Sequence, residues 1–343
     1  MSGSLQTLAQ AAFNRLQQIG APSKKNELWT FFPVKAIPQM DTGPSNLEEE
    51  AFPLSNENDY AALIPLAFGA SRTMVKNIGD SQSEMGIIKS RDNLSHTVFN
   101  IGKSAKVSLE ILDNKVIHPI TAERFDINVG EGADVEIFYA NPANDLPLHF
   151  RHFNIHQAAN STLRFTTIHR GNKIFRTSMD VFLCGENACL DIRMLNMLQG
   201  NAETHGRVSI YHNAPNTSSS QFVRNMLNGS AYASYDGMVT AKANCPQIHS
   251  SQLVNTLLLS DDVKVSVKPV LKIYHDDVEC THGNTCGELD AEQMFYLTSR
   301  GIPPQMAQML LTKAFAEELF LSLPEGPAKK RLFQVLAQTQ VGG

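Results

Sequence analysis

The chain has 343 residues, of which 42% are hydrophobic and 18% charged. These proportions are typical of a globular protein with a substantial core, arranged as one large domain or two to three small ones. The formal net charge of −5 at pH 7 is mild, which argues against non-specific binding to nucleic acid or to an anionic membrane surface.

The cysteine content and the N-terminal sequence indicate in which cellular compartment the protein is expected. Five cysteines are an odd number in a chain of this length, which disfavours a disulfide framework. No apolar run reaches the roughly 18 residues that span a bilayer, and residues 1–10 lack the pattern of a signal peptide. We therefore expect a cytoplasmic protein in a reducing environment.

Residues 1–85 are predicted to form a mixed, partly helical N-terminal segment. Apolar residues at helical spacing over residues 5–19 predict one helix, which Gly20 ends. The single tryptophan, Trp29, is interpreted as an anchor of this segment on the core. Residues 38–60 are rich in Pro, Asn, Asp, Glu and Ser and are predicted to be an exposed connector.

An internal repeat of two strands dominates residues 86–288. The first series is Phe125-x-Ile127, Phe153-x-Ile155, Val181-x-Leu183, Val208-x-Ile210, Gly237-x-Val239 and Val265-x-Val267, and the second is Ala105-x-Val107, Ala133-x-Val135, Ser161-x-Leu163 and Ala188-x-Leu190. Both series recur about every 28 residues. A unit of this size cannot bury its apolar face alone, so it stacks on its neighbours.

The repeat therefore predicts a mainly β protein built as a parallel β-solenoid. Small residues recur at equivalent places, namely Ala105, Ala133, Ser161 and Ala188, and fit a tight corner that is stacked coil upon coil. A β-propeller would need roughly 40 to 50 residues per blade, and a β-sandwich would show no fixed period. Both ends of a solenoid need caps, for which the flanking segments are candidates.

Residues 289–343 are predicted to form a C-terminal helical segment. Asp290 begins the first helix, with Gln293 completing a capping-box-like pair, and Gly301 ends it. The second helix follows Pro303 and carries a broad apolar face made of Met306, Met309, Leu310, Phe315, Leu319 and Phe320. The methionines on this face fit either an ordinary core or a docking surface for another protein.

Residues 276–287, DDVECTHGNTCG, concentrate the candidate chemistry between the last predicted strand and the first C-terminal helix. The chain contains neither a P-loop nor a Gly-x-Gly-x-x-Gly motif, so no nucleotide site of its own is expected. The close pair Cys280 and His282 is by itself a weak signal for nucleophilic catalysis.

Metal binding is the sharper hypothesis for this stretch. The spacing Cys280-x-His282-x3-Cys286 supplies ligands that suit zinc, iron or an iron–sulfur cluster, although it is not a standard zinc spacing. Four-fold ligation would need a further group, either Cys245 or a residue of a partner chain. The remaining thiols, Cys184 and Cys189, are interpreted as buried and structural.

Residues 268–283, KPVLKIYHDDVECTHG, closely resemble the SufB/SufD family of iron–sulfur cluster assembly proteins, and the SufD type within it. Further similar motifs are LLLSDD at 257–262, FYLTSRGI at 295–302, APNTSS at 214–219 and Glu27-x-Trp29-x-x-Phe32-Pro33. The match extends from about residue 20 to residue 320. The resemblance implies a right-handed parallel β-helix flanked by N- and C-terminal helical segments.

The resemblance also implies a non-catalytic scaffold of the SUF system, within a SufBC2D-type complex. A SufB-like subunit would pair with the last strands to form a heterodimer, and a SufC-like ATPase would dock on the C-terminal segment. The implied docking residues are Phe295, Tyr296, Arg300, Met306, Met309, Leu310 and Phe315. Whether a reduced flavin binds the complex stays open, and the isolated chain is expected to form a homodimer.

At the implied interface, His282 is the ligand or proton-handling group for a transient iron or iron–sulfur cluster, shared with a cysteine of the partner chain. Cys280 is its neighbour. Cys286 stands where an aliphatic residue is usual and is either an extra ligand or an unremarkable small residue. Two alternatives remain open: a solenoid enzyme acting on a small molecule or polysaccharide, and a homodimeric interaction module in which His282 is structural.

Overall fold

The computed structural model describes residues 6–37, 59–68, 73–89, 93–112, 119–140, 147–171 and 173–337. The strands are β1 Met74–Ile78, β2 Ser83–Lys89, β3 Leu94–Ile101, β4 Lys106–Leu112, β5 Thr121–Val129, β6 Asp134–Ala140, β7 Leu148–Gln157, β8 Thr162–Arg170, β9 Ile174–Leu183, β10 Cys189–Leu198, β11 Glu203–His212, β12 Ser218–Leu227, β13 Tyr232–Ala241, β14 Ile248–Leu258, β15 Lys264–Ile273 and β16 Val278–Gly287. The α-helices are α1 Gln6–Ile19, α2 Tyr60–Phe68, α3 Ala291–Ser299, α4 Pro304–Glu318 and α5 Pro327–Ala337, and short 3-10 helices cover Glu27–Trp29 and Val34–Ala36.

The predicted parallel β-solenoid is confirmed. Odd-numbered strands form one eight-stranded sheet, here called sheet A, and even-numbered strands form a second, sheet B. Each strand pairs in parallel with the strand two positions later, at about 29 residues per coil. Val107, Val135, Leu163 and Leu190 lie in register on successive coils and are buried, as the second repeat series predicts.

The register of sheet A is less even than the first repeat series predicts. Ile155 pairs with Val181, two residues before the expected Leu183. Val239 pairs with Leu271, four residues later than even spacing predicts. The connections between strands differ in length, and a shift by an even number of residues leaves every side chain on the same face. The burial pattern alone therefore does not distinguish these registers.

The predicted small-residue corner is also confirmed. Ala105, Ala133, Ser161 and Ala188 are fully buried. The residue before each has a positive φ, and the series Ser104, Gly132, Asn160 and Asn187 continues with Asn216 and Gln247. Glycine and asparagine adopt this left-handed conformation most readily. Each corner therefore turns at the same place, which keeps the following strands of sheet B in register.

The N-terminal segment covers the outer face of sheet A. Trp29 is buried and makes edge contacts with Phe32, Tyr60 and Phe150, which confirms its interpretation as an anchor. Helix α2 was not expected from the sequence, because it is apolar on all sides and contains Pro65. Most of the predicted connector, residues 38–58, lies outside the described residues.

The solenoid begins earlier in the chain than residue 86. Strand β1 starts at Met74, and residue 86 falls inside β2. At the other end, β16 stops at Gly287 and α3 starts at Ala291. No helix in the described ranges is long and apolar enough to cross a membrane.

A buried ionic contact fastens the N-terminal segment to the solenoid. The guanidinium of Arg176 donates to the carboxylate of Asp59 (3.1 Å) and to the carbonyl of Leu28 (3.0 Å), and lies 4.1 Å from the ring centre of Trp29. Arg207, one coil on, lies 3.6 Å from Asp59. Burial alone would raise the pKa of Asp59, but the two guanidiniums lower it to about 2.

We expect Asp59→Asn to lower the free energy of unfolding by about 3 kcal/mol at pH 7, because it leaves a buried guanidinium without its counter-charge. The pKa of Asp59 is depressed in the folded state, so its contribution is present above about pH 4 and is lost as the pH falls towards 2. Urea unfolding at pH 7 and at pH 3 measures both effects.

The matched control is Glu131→Gln, which removes an exposed ion pair with Lys103 and should change the free energy of unfolding by less than about 1 kcal/mol. If Asp59→Asn lowered the free energy of unfolding by as much at pH 3 as at pH 7, the role of the ionised Asp59 carboxylate in stability would be contradicted.

Candidate functional site

The last coil of the solenoid is open. Strands β15 and β16 are the terminal strands of sheets A and B. Their side chains are all half-buried or exposed, whereas the inward-facing side chains of the preceding strand β14 are buried. Within the part of the chain that the structure describes, this end of the solenoid therefore presents its interior and two unpaired strand edges, and unpaired edges are prone to pair with another chain.

Strand β16 places Cys280 and His282 at this opening. Cys280 lies in register with Ser250, and His282 with Gln252. Ser250 and Gln252 are buried in the coil below, so the same alternation turns Cys280 and His282 towards the interior. His282 is exposed because no coil covers it, and burial raises the pKa of the half-buried Cys280 thiol.

The structure separates Cys286 from this pair. Cys286 is exposed and lies further along the same strand, in register with Thr256. At about 3.3 Å per residue, an extended strand puts residues four apart at roughly 13 Å and residues six apart at roughly 20 Å. His282, Cys280 and Cys286 therefore cannot all bind one metal ion within β16.

Cys245 is brought close to the site from another part of the chain. It is buried beside Ala241 and Ile248, and Cys280 packs against the same cluster. Burial raises the pKa of its thiol. In the part of the chain that the structure describes, no group of three His, Cys, Asp or Glu side chains is arranged to hold a metal ion.

A polar chain runs through the interior below Cys280. His212 is buried, with Nδ1 2.8 Å from Thr217 Oγ1 and Nε2 2.9 Å from Ser219 Oγ. Ser219 Oγ lies 2.9 Å from Ser250 Oγ, one coil higher. Strands β4, β6, β8 and β10 carry only apolar side chains (Val, Leu, Ile or Phe) at the positions in register with Ser219 and Gln221. The change to SSSQ at 218–221 and SSQ at 250–252 is the sequence signal that would have revealed this feature.

Two glutamines continue the polar interior below His282. Tyr235 donates its hydroxyl to Gln221 Oε1 at 2.5 Å. The side chain of Gln252 is buried, and within the described residues neither amide atom has a hydrogen-bond partner. A Cβ at Gly237, on the opposite sheet, would lie 2.5 Å from Gln252 Oε1, so the glycine makes room for the amide.

We expect Gln252→Met to raise the free energy of unfolding by about 1 kcal/mol, because it replaces an unpaired buried amide with an apolar side chain of similar size. The paired variant Gln221→Met should lower it, since it removes the acceptor of the Tyr235 hydroxyl. Chemical denaturation of both variants tests this. Destabilisation by Gln252→Met would show that the amide has a partner, such as an internal water.

The C-terminal helices pack on the outer face of sheet B. Leu319 and Phe320, directly after α4, are buried in a cluster with Leu332 of α5 and apolar residues of sheet B. Arg193 donates to the carbonyl of Leu319 at 2.7 Å, and Arg224 donates to the carbonyl of Phe315. These contacts hold α4 and α5 against the solenoid.

The other side of α3 and α4 is exposed and apolar. Phe295 is 73% exposed, Tyr296 54%, Met306 46% and Leu310 41%. Arg300 lies 4.4 Å from the ring centre of Tyr296. We call these five residues the α3–α4 surface. The two other predicted docking residues differ: Met309 is half-buried, and Phe315 packs against Arg224 and the solenoid.

The interpretation of Cys184 and Cys189 as buried thiols is wrong. Cys184 is exposed at the end of β9, and Cys189 is half-buried. Cys189 alternates with the buried Ala188 and Leu190 and so points outwards. Most histidines in the strands are hydrogen-bonded, and six of them are buried: His96, His149, His152, His169, His205 and His212.

Comparison with known proteins identifies the family. Residues 87–315 match the family model described as SUF system FeS cluster assembly, SufBD core domain. The chain belongs to the SufBD family. The family match includes the open coil and its residues 276–287, and it ends within α4.

Individual proteins of similar sequence support the same family assignment. The iron–sulfur cluster assembly protein SufD of Escherichia coli is 32% identical over 223 residues, or 65% of this chain and 53% of its own length. An iron–sulfur cluster assembly SufBD family protein of Synechocystis is 28% identical over 214 residues, 62% of this chain and 47% of its own. Protein ABCI7 of Arabidopsis chloroplasts is 26% identical over 202 residues, 58% and 42% respectively.

The chain spans about half the length of the curated relatives it matches. The resemblance to a SufD-type protein is confirmed. The roles of individual residues, including His282, Cys280 and the α3–α4 surface, stay predictions.

Proposed function

We propose that this chain is a SufD-like, non-catalytic scaffold subunit of a SufBCD-type complex for iron–sulfur cluster assembly. The observation that carries the proposal is the open last coil, whose terminal strand β16 carries Cys280 and His282. A SufB-like subunit pairs with the open edges of β15 and β16 and continues both sheets. The cluster or iron is cargo at this junction, held transiently by His282 and a cysteine of the SufB-like subunit.

The spacing along β16 supports a site shared between two chains. Cys286 lies too far along the strand to complete a site with Cys280 and His282. The further ligands would come from the SufB-like subunit. All five cysteines of this chain are free thiols, as a reducing, cytoplasmic location requires.

We expect His282→Ala to reduce cluster formation in the reconstituted complex at least about tenfold, because it removes a ligand or proton-handling group from the junction. Complex formation should not change. His249→Ala is the matched control, since His249 is exposed on the outer face of the neighbouring strand β14. If the cluster yield of His282→Ala equalled that of wild type, the role of His282 as a ligand or proton-handling group would be refuted.

The α3–α4 surface is the proposed docking site of a SufC-like ATPase, because it is apolar and exposed while α4 is fixed to the solenoid by its other side. Exposed aromatic side chains are frequent anchors of protein interfaces. The ATP site would belong to the SufC-like ATPase, since the sequence of this chain contains no P-loop motif. The isolated chain pairs with a second copy through its open strand edges.

We expect Phe295→Ser combined with Met306→Ser to weaken ATPase binding by about 30-fold or more, as the loss of two interface anchors does. The control is Met85→Ser, which alters a methionine that is 72% exposed on β2, the terminal strand at the opposite end of sheet B. Equal ATPase recovery from the double variant and the control would refute the docking site.

A further inference from the structure

The two strand edges of the open coil carry opposite charge. Lys264, Lys268 and Lys272 recur at every fourth position of β15, and we call them the basic rim. Asp276 and Asp277 precede β16 and Glu279 lies on it; these three form the acidic rim. The sequence from residue 273 to residue 299 contains no lysine or arginine.

The side chains of the three lysines point outwards, and they differ in whether they form an ion pair. Val267 and Leu271, at alternating positions of β15, pack against the solenoid core, so the lysines lie on the outer face. Lys268 contacts Glu27 of the N-terminal segment at 2.5 Å. In the ranges that the structure describes, Lys264 and Lys272 have no ion pair and are exposed.

The edge of β15 is also restricted by Pro269. The backbone N–H groups of Lys264 and Tyr274 donate to Ala231 and Ala241 of the preceding coil, at 2.9 and 3.0 Å. Alternation along the strand then turns the backbone of Pro269 towards the open edge, where it offers no donor. Lysine and proline are common features that protect strand edges against unwanted pairing.

Protection of strand edges against aggregation does not by itself explain why β15 and β16 carry opposite charges. A solenoid end that only needed to avoid aggregation would protect both edges, yet β16 contains neither proline nor lysine. Opposite side chains on paired strands lie about 5 Å apart, so like charges repel and unlike charges attract. Two copies of β15 placed side by side would oppose lysines with lysines.

We propose that the basic rim is a specificity determinant that favours a SufB-like strand with outward carboxylates over another β15, so that the heterodimer forms in preference to the homodimer. The acidic rim selects basic or neutral side chains on the other sheet of the same subunit. The rims thereby fix which edge of the SufB-like subunit joins sheet A and which joins sheet B. This inference rests on the proposed pairing with a SufB-like subunit.

The test compares Lys264→Glu/Lys272→Glu with wild type for binding to the SufB-like subunit at about 50 mM and 500 mM NaCl, using the full chain. We expect charge reversal to weaken binding at least about tenfold at low salt, and less at high salt because salt screens exposed charges. The neutral variant Lys264→Gln/Lys272→Gln should fall between the two.

The matched control needs two exposed lysines that are remote from the basic rim. Lys24 would not serve, since it lies three residues from Glu27, so the control is Lys106→Glu/Lys173→Glu. These exposed lysines lie on β4 and directly before β9, on coils away from the open one. The control makes the same change in net charge and should bind within about twofold of wild type. Thermal unfolding of all variants confirms that each is folded. Lys268 is left unchanged because it is paired with Glu27.

The outcomes separate this inference from the proposed function. If wild type does not bind the SufB-like subunit, the proposed function fails and the inference falls with it. If wild type binds and charge reversal stays within about twofold of it, the inference alone is overturned. It is equally overturned if the control weakens binding as much, or if charge reversal affects only homodimerisation.

Discussion

The stacking of each strand on the strand of the preceding coil is the constraint on which the rest of the structure depends. A coil of about 29 residues exposes an apolar face that only a neighbouring coil can bury. Left-handed residues such as Asn160 and Asn187 turn the chain at the same place in each coil, so the strands stay in register. A stack of this kind cannot close on itself. Its last coil therefore keeps two unpaired strands, and the candidate site lies there.

The periodic part of the fold was predictable because burial repeats with the coil. Small residues at the corner, such as Ala133 and Ala188, and apolar residues on alternate positions leave a direct trace in the sequence. The register of sheet A was not predictable, because pairing Ile155 with Val181 or with Leu183 buries the same faces. Helix α2 gave no amphipathic signal, since it is buried on nearly every side.

The sequence points to the residues of the candidate site but not to their geometry. The motif around Cys280 and His282 identifies the stretch, yet twelve consecutive residues read as a compact cluster only if the chain folds back on itself. An extended strand instead spreads them and separates Cys286. The polar interior was not predicted, for a related reason. Alternation of polar and apolar residues predicts a strand whichever face is polar, so the sequence does not show that Ser250 and Gln252 point inwards.

The two open strands, β15 and β16, are held in place by different contacts. Lys268 ties β15 to Glu27, and the N-terminal segment that carries Glu27 is itself fastened to sheet A by Arg176. Strand β16 is joined to the coil below by its ladder and by the exposed pair of His249 with Glu279, over a polar interior that adds little apolar stabilisation. A braced edge loses less conformational freedom on pairing. Sheet A therefore carries the more tightly held of the two open edges, and the strand that bears Cys280 and His282 is the less tightly held one.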